Sequence, residues 1–169
     1  MTDKIKVIID NKQKKVKIPT GVRMLVRRCC NAVLRMEEFP DAVEVNVSFV
    51  DNEQIYELNK KHRNKEDFTD VLSFPLGENG QYDTNPESGM KMLGDIVISM
   101  ETAVEQSTQF GHSLQREIAY LTVHSMLHLL GYDHEKGGLE MVHMREKEEQ
   151  VLALLGLSRV SSYVLDNDR

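Results

Sequence analysis

The sequence predicts a single α+β domain, and three observations carry that prediction. A chain of 169 residues suits one domain with a sizeable core. Residues 43–49, Val-Glu-Val-Asn-Val-Ser-Phe, alternate apolar and polar side chains strictly, as a half-buried strand does. Strand-like and helix-like stretches are also mixed without the regular βαβ alternation of a wholly parallel sheet. The domain is expected over residues 1–159, with 160–169 as a tail that no pattern places.

In order along the chain, Ile5–Ile9 reads as a first strand, Asn11–Lys15 as a polar turn, and Val16–Ile18 as a short return strand. Pro19-Thr20-Gly21 interrupts, with Thr20 a candidate cap for a helix over 22–37. Val22, Leu25, Val26, Cys29, Val33 and Met36 form the apolar stripe of that helix. After the alternating strand, Asp51 can cap a helix over 52–62 with Ile55 and Leu58 inward. Thr69–Phe74 reads as a strand closed by Pro75. Residues 77–92 are rich in turn formers and lack periodicity, which suggests a mobile hairpin loop. Leu93–Ile98 resumes as a strand antiparallel to the one before the loop. Ser99 can cap a helix over 100–109, Ser113 one over 114–130, and a last helix covers about 139–155. Met141, Met144, Val151, Leu152 and Leu155 are the expected inner side of that last helix.

The chain is organised around residues 124–134, where His124, His128 and His134 follow the spacing His-x3-His-x5-His. On a helix, His124 and His128 lie one above the other on the same face. Gly131 can adopt the left-handed conformation that ends the helix and lets the chain return with His134. Three neutral imidazoles leave a zinc ion its full charge and one open position, the make-up of a catalytic rather than a structural site.

Composition narrows the classes further. Hydrophobic residues are 40% and charged residues 28%, ordinary for a soluble protein. No apolar run approaches membrane-spanning length and residues 1–6 carry no signal-peptide pattern, so a cytoplasmic protein without membrane partners is expected. The adjacent Cys29 and Cys30 read as free buried thiols in a reducing compartment. A net charge of −6 argues against general nucleic-acid binding, and no DNA partner is expected. Residues 1–36 nevertheless hold ten Lys/Arg against two Asp, a basic segment in an acidic chain.

The histidine stretch resembles the His-Gly-x-Leu-His-Leu-x-Gly-Tyr-Asp-His signature of the YbeY family, which are bacterial metal-dependent, single-strand-specific endoribonucleases. Two further blocks match in order. Asn59 and Arg63 followed by Thr69-Asp70-Val71-Leu72-Ser73-Phe74-Pro75 resemble the Asn-x3-Arg and Thr-Asp-Val-Leu-Ser-Phe-Pro segments of that family. Leu93-Gly94-Asp95-Ile96 resembles its Leu-Gly-Asp-Ile strand. The resemblance covers about residues 3–159. It departs at Ser125, where the family often has glycine.

The resemblance implies a mixed sheet of about four strands flanked by helices, of zincin-like architecture. It also implies one zinc ion held by His124, His128 and His134, and a functional arginine at Arg63. Single-stranded RNA, rRNA and ribosomal particles are the partners it implies, with roles in 16S 3′-end maturation and ribosome quality control. Within that reading Arg63 and His124 are the catalytic candidates, since a guanidinium suits the charge that builds on a cleaved phosphate. Asp70 and Asp133 could orient ligand histidines through their second ring nitrogens. Asn59, Lys60 and Lys61 could line an RNA path with the basic turn. Two rivals stand beside it. A zinc peptidase normally carries His-Glu-x-x-His, and Ser125 occupies the place of its glutamate base. A non-enzymatic ribosome assembly factor would use the metal only to hold its fold.

Overall fold

A computed structural model describes residues 5–63, 69–133 and 138–157, with Arg63 described by its backbone alone. Among the described residues, six strands and five helices follow in order. They are β1 (Ile5–Asn11), α1 (Val22–Met36), β2 (Val43–Val50), α2 (Asn52–Arg63), β3 (Val71–Pro75), β4 (Gly77–Glu78), β5 (Gln81–Tyr82), β6 (Lys91–Ser99), α3 (Met100–Phe110), α4 (Leu114–Leu129) and α5 (Gly138–Leu154). The main sheet is mixed, in the order β1-β2-β6-β3, and the α+β expectation holds. β1 and β6 flank β2 in parallel, whereas β3 runs antiparallel to β6 with Val71 opposite Ile98.

Strand alternation divides the apolar residues between the two faces. Val45, Val47, Ile96 and Ile98 point into the larger core with α1, α4 and α5. Val50, Leu72 and Val97 meet Ile55 and Leu58 of α2 in a smaller cluster. α4 lies in the larger core and is buried on most sides, from Ile118 and Ala119 to Met126, Leu127 and Leu129. None of the described helices is long and apolar enough to cross a membrane.

Local chemistry explains the boundaries. Ser99 and Ser113 accept from Thr102 N and Arg116 N, capping α3 and α4. Asp51 Oδ1 accepts from Gln54 N at 2.9 Å while Gln54 Oε1 accepts from Asp51 N at 2.8 Å, a reciprocal box that starts α2.

Three expectations are corrected. Residues 16–18 form no return strand, because β1 pairs in parallel with β2 and the chain must cross to α1 rather than fold back. The turn is braced by the buried Gln13, whose amide donates to Val16 O at 2.8 Å and accepts from Val16 N at 2.9 Å. Thr20 does not cap α1; Gly21 holds that place at φ +90° with no side-chain bond. Residues 77–92 form the expected hairpin, but with paired strands and a tie to the core in place of an irregular loop. β4 pairs with β5, Thr84 bridges Lys91, and the buried Tyr82 donates its hydroxyl to Leu129 O at the end of α4.

Candidate metal centre

Between residues 121 and 129, α4 is buried everywhere except at His124 and His128. Its C-terminus closes with Gly131 at φ +106°, Gly131 N donating to His128 O and Tyr132 N to Leu127 O. Gly94 lets this end sit tight on the sheet. A Cβ there would lie 2.5 Å from Phe74 O and 2.8 Å from a Leu129 methyl. Glycine in the Leu-Gly-Asp block is thus a packing requirement for the helix that carries the histidines.

The two rings are 4.6 Å apart between centroids, nearly perpendicular, and their Nε2 atoms approach to 3.1 Å. Each Nδ1 is engaged from behind. His128 Nδ1 lies 2.7 Å from Tyr132 O, and His124 Nδ1 lies 2.6 Å from Glu148 Oε2. A carbonyl oxygen only accepts, so His128 must carry its proton on Nδ1. The carboxylate imposes the same tautomer on His124. With both rings neutral, as metal ligands are, the Nε2 lone pairs face each other across 3.1 Å. Two opposed lone pairs repel unless a cation lies between them. Two zinc–nitrogen bonds of about 2.0–2.1 Å at a tetrahedral angle would hold the nitrogens about 3.3 Å apart. The donor pair therefore fits a metal ion.

Glu148 is 3% exposed and is reached from α5, while Tyr120 stacks on His124 at 5.7 Å. Tyr132 is itself anchored. Its hydroxyl donates to Glu37 Oε1, Lys147 Nζ donates to Glu37 Oε2 at 2.6 Å, and the ammonium lies 5.6 Å from the Tyr132 ring centre. The end of α1, the turn after α4 and α5 are thus tied together behind the histidines. Burial and the Glu37 bond push the Tyr132 phenol up from its ordinary pKa, and the Glu37 bond does the same for Lys147.

The other candidates fall as follows. His134 lies outside the described residues, as do the side chain of Arg63 and the tail 160–169. Among the described residues no group of three metal-ligating side chains forms. The Asp70 carboxylate takes Gln106 Nε2 at 3.2 Å, and the same amide donates to the buried Glu117, which also meets His112 at 2.6 Å. Asp133 is half-buried in the turn after Tyr132. Asn59 is buried on α2, and Lys60 and Lys61 are exposed. Ser125 Oγ is buried with no hydrogen-bond partner among the described residues.

Glu148 was missed, yet its signal was present. Met144, Glu148, Val151 and Leu152 occupy the inward positions of α5, so a carboxylate interrupts an apolar stripe. Such a side chain needs a buried partner.

Residues 8–156 match the family model described as Endoribonuclease YbeY. Curated relatives of that name include one from Caldanaerobacter subterraneus subsp. tengcongensis, 54% identical over 158 residues, covering 90% of this chain and 99% of that protein. Another, from Alkaliphilus metalliredigens, is 44% identical over 155 residues and covers 92% of this chain and 98% of its own length. The solution structure of TM1509 from Thermotoga maritima superposes with a TM-score of 0.57 at 25% identity, over 89% of this chain and 92% of that one. With the family match spanning the sheet, α4 and the carboxylate on α5, the chain belongs to the YbeY family of endoribonucleases.

Proposed function

We propose that the protein is a zinc-dependent endoribonuclease that cuts single-stranded RNA, with His124, His128 and His134 as the metal ligands. Maturation of the 16S rRNA 3′ end on ribosomal particles in the cytoplasm is the setting this reading gives it. The observation that carries it is the 3.1 Å approach of two Nε2 atoms whose Nδ1 atoms are each held from behind. Zinc, when bound, lowers the pKa of a water toward about 7 and polarises a phosphoryl oxygen.

The protein's own part is orientation and charge. The Glu148 carboxylate and the Tyr132 carbonyl fix both rings, so little reorganisation is needed at the moment of reaction. Arg63, the last residue of α2, is assigned to the developing charge on the scissile phosphate, because a guanidinium offers two parallel donors to phosphate oxygens. The names of the relatives, the matched Asn59–Arg63 block and the histidine tautomers support this reading.

The test is cleavage of a single-stranded RNA and of its duplex by the zinc-loaded chain, beside Arg63→Ala, Arg63→Lys and His128→Ala. Cutting of the single strand is expected to fall at least 100-fold in Arg63→Ala and His128→Ala and to recover only partly in Arg63→Lys. Wild-type rates in both Arg63 variants remove its role, and a folded His128→Ala that still cuts with metal removes the site.

A further inference from the structure

On the solvent side of α1, Arg23, Arg27, Arg28 and Arg35 are all exposed. Among the described residues none of the four makes an ion pair. Four unneutralised guanidinium groups on one helix are a local exception in a chain of net charge −6. Beside them lies a groove of about 450 Å³ between α1 and the end of α5. Arg28, Asn31 and Arg35 line it with charge and an amide, while Met36, Leu154 and Leu155 give it an apolar wall. Leu154 is 69% exposed at its edge, an apolar side chain left open to solvent.

The groove is connected to the histidine pair by covalent neighbours. Met36 precedes Glu37, whose carboxylate holds Tyr132 and Lys147, and the Tyr132 carbonyl orients His128. Glu37 is thereby committed and does not neutralise the arginines. From Arg28 to Arg35 the helix rises about 10.5 Å, and from Arg23 to Arg35 about 18 Å. That length spans several phosphates of an extended strand.

We propose that the α1–α5 groove is a subsite for single-stranded RNA flanking the cut. Arg28 and Arg35 take backbone phosphates, and one base lies on the apolar wall with its edge toward Asn31. Arg27 and Arg23 continue the phosphate track away from the site. Apolar and guanidinium surfaces side by side suit a nucleotide, whose flat base and charged phosphate want different neighbours. A duplex presents no free base to the groove, so the subsite favours unpaired RNA. This rests on the nuclease reading for its biological sense, but binding is measurable without cleavage.

The experiment is fluorescence anisotropy of a labelled 12-nucleotide RNA without secondary structure, with EDTA suspending cleavage, for wild type, Arg28→Gln/Arg35→Gln and Arg28→Lys/Arg35→Lys. Each lost phosphate contact is expected to lower the log–log salt slope by about 0.7, so the glutamine pair loses about 1.4 and binds at least ten-fold more weakly at low salt. The lysine pair is expected to keep the slope and lose part of the affinity. Leu154→Ser, which leaves every charge in place, is expected to weaken binding without changing the slope. Equal affinity and slope in wild type and the glutamine pair overturn the subsite, as does a wild-type chain that does not bind the strand. A wild-type chain that binds but never cuts when zinc is restored refutes the nuclease reading and leaves the subsite standing.

Discussion

Two buried groups on facing helices show what single residues contribute. Glu148 is a nearly inaccessible carboxylate whose described partner is the Nδ1 of His124 at 2.6 Å. Replacing it by glutamine keeps its shape and removes the charge that fixes the tautomer. Glu148→Gln is expected to bind zinc about 10–100-fold more weakly, measured by competition with a chromophoric chelator, with the fold unchanged by circular dichroism. Wild-type affinity would show that Tyr132 and the helix alone align the rings. Ser125 poses the opposite case. Its buried hydroxyl has no partner among the described residues, and leaving such a group unsatisfied costs about 1–3 kcal/mol. Ser125→Ala is therefore expected to raise stability by about 1 kcal/mol in a urea titration; a loss would mean the hydroxyl finds a partner in solution. The histidine spacing made His124 and His128 legible in the sequence, because four residues on a helix return to the same face. Glu148 lies 24 residues from His124, and no local period joins the two.

Helix ends follow short-range rules, and the sequence shows them: Ser99, Asp51 and Ser113 each begin a helix with a side chain three residues from its partner. The β4–β5 segment follows a long-range rule and does not show itself. Tyr82 is held by a carbonyl 47 residues away, so a run of turn formers looks loose until α4 is in place. Tyr82→Phe is expected to cost about 1–3 kcal/mol and to open residues 77–92 to limited proteolysis; a wild-type digestion pattern would mean that strand pairing alone orders them. The tie at the end of α1 is pH-dependent. Tyr132 and Lys147 both hold their protons more tightly folded than unfolded, from burial and the Glu37 bond in the first and chiefly from the Glu37 bond in the second. Groups with raised pKa values contribute their full stability below the unfolded values and lose it as pH climbs through the folded ones. Melting temperature is expected to fall above about pH 10, and Glu37→Gln to flatten that fall. Parallel falls in both proteins would place the alkaline transition elsewhere.

For the molecule as a whole, composition and alternation were enough to give the fold class, because one strongly alternating strand and several amphipathic helices leave few ways to bury their faces. They did not give the strand order. β2 is flanked by β1, which precedes it, and by β6, which follows only after α2, β3 and the β4–β5 hairpin. Pairing across such separations is decided by the packed core, in which α1 contributes both cysteines. Burial pushes the Cys29 thiol up to about 12 and Cys30 well above its ordinary value. Ellman's reagent at pH 8 is expected to find no thiol within minutes in the native chain and both in guanidinium; prompt reaction of either would mean that α1 lifts off the sheet.

The dependence of His124 on a carboxylate of α5 also has a consequence for biosynthesis. A chain released early, after α4 but before residue 148, would carry the histidines without the group that aligns one of them. α5 must be synthesised and docked before the ring pair can be set. A product truncated there holds the two histidines of α4 with the His124 ring unaligned.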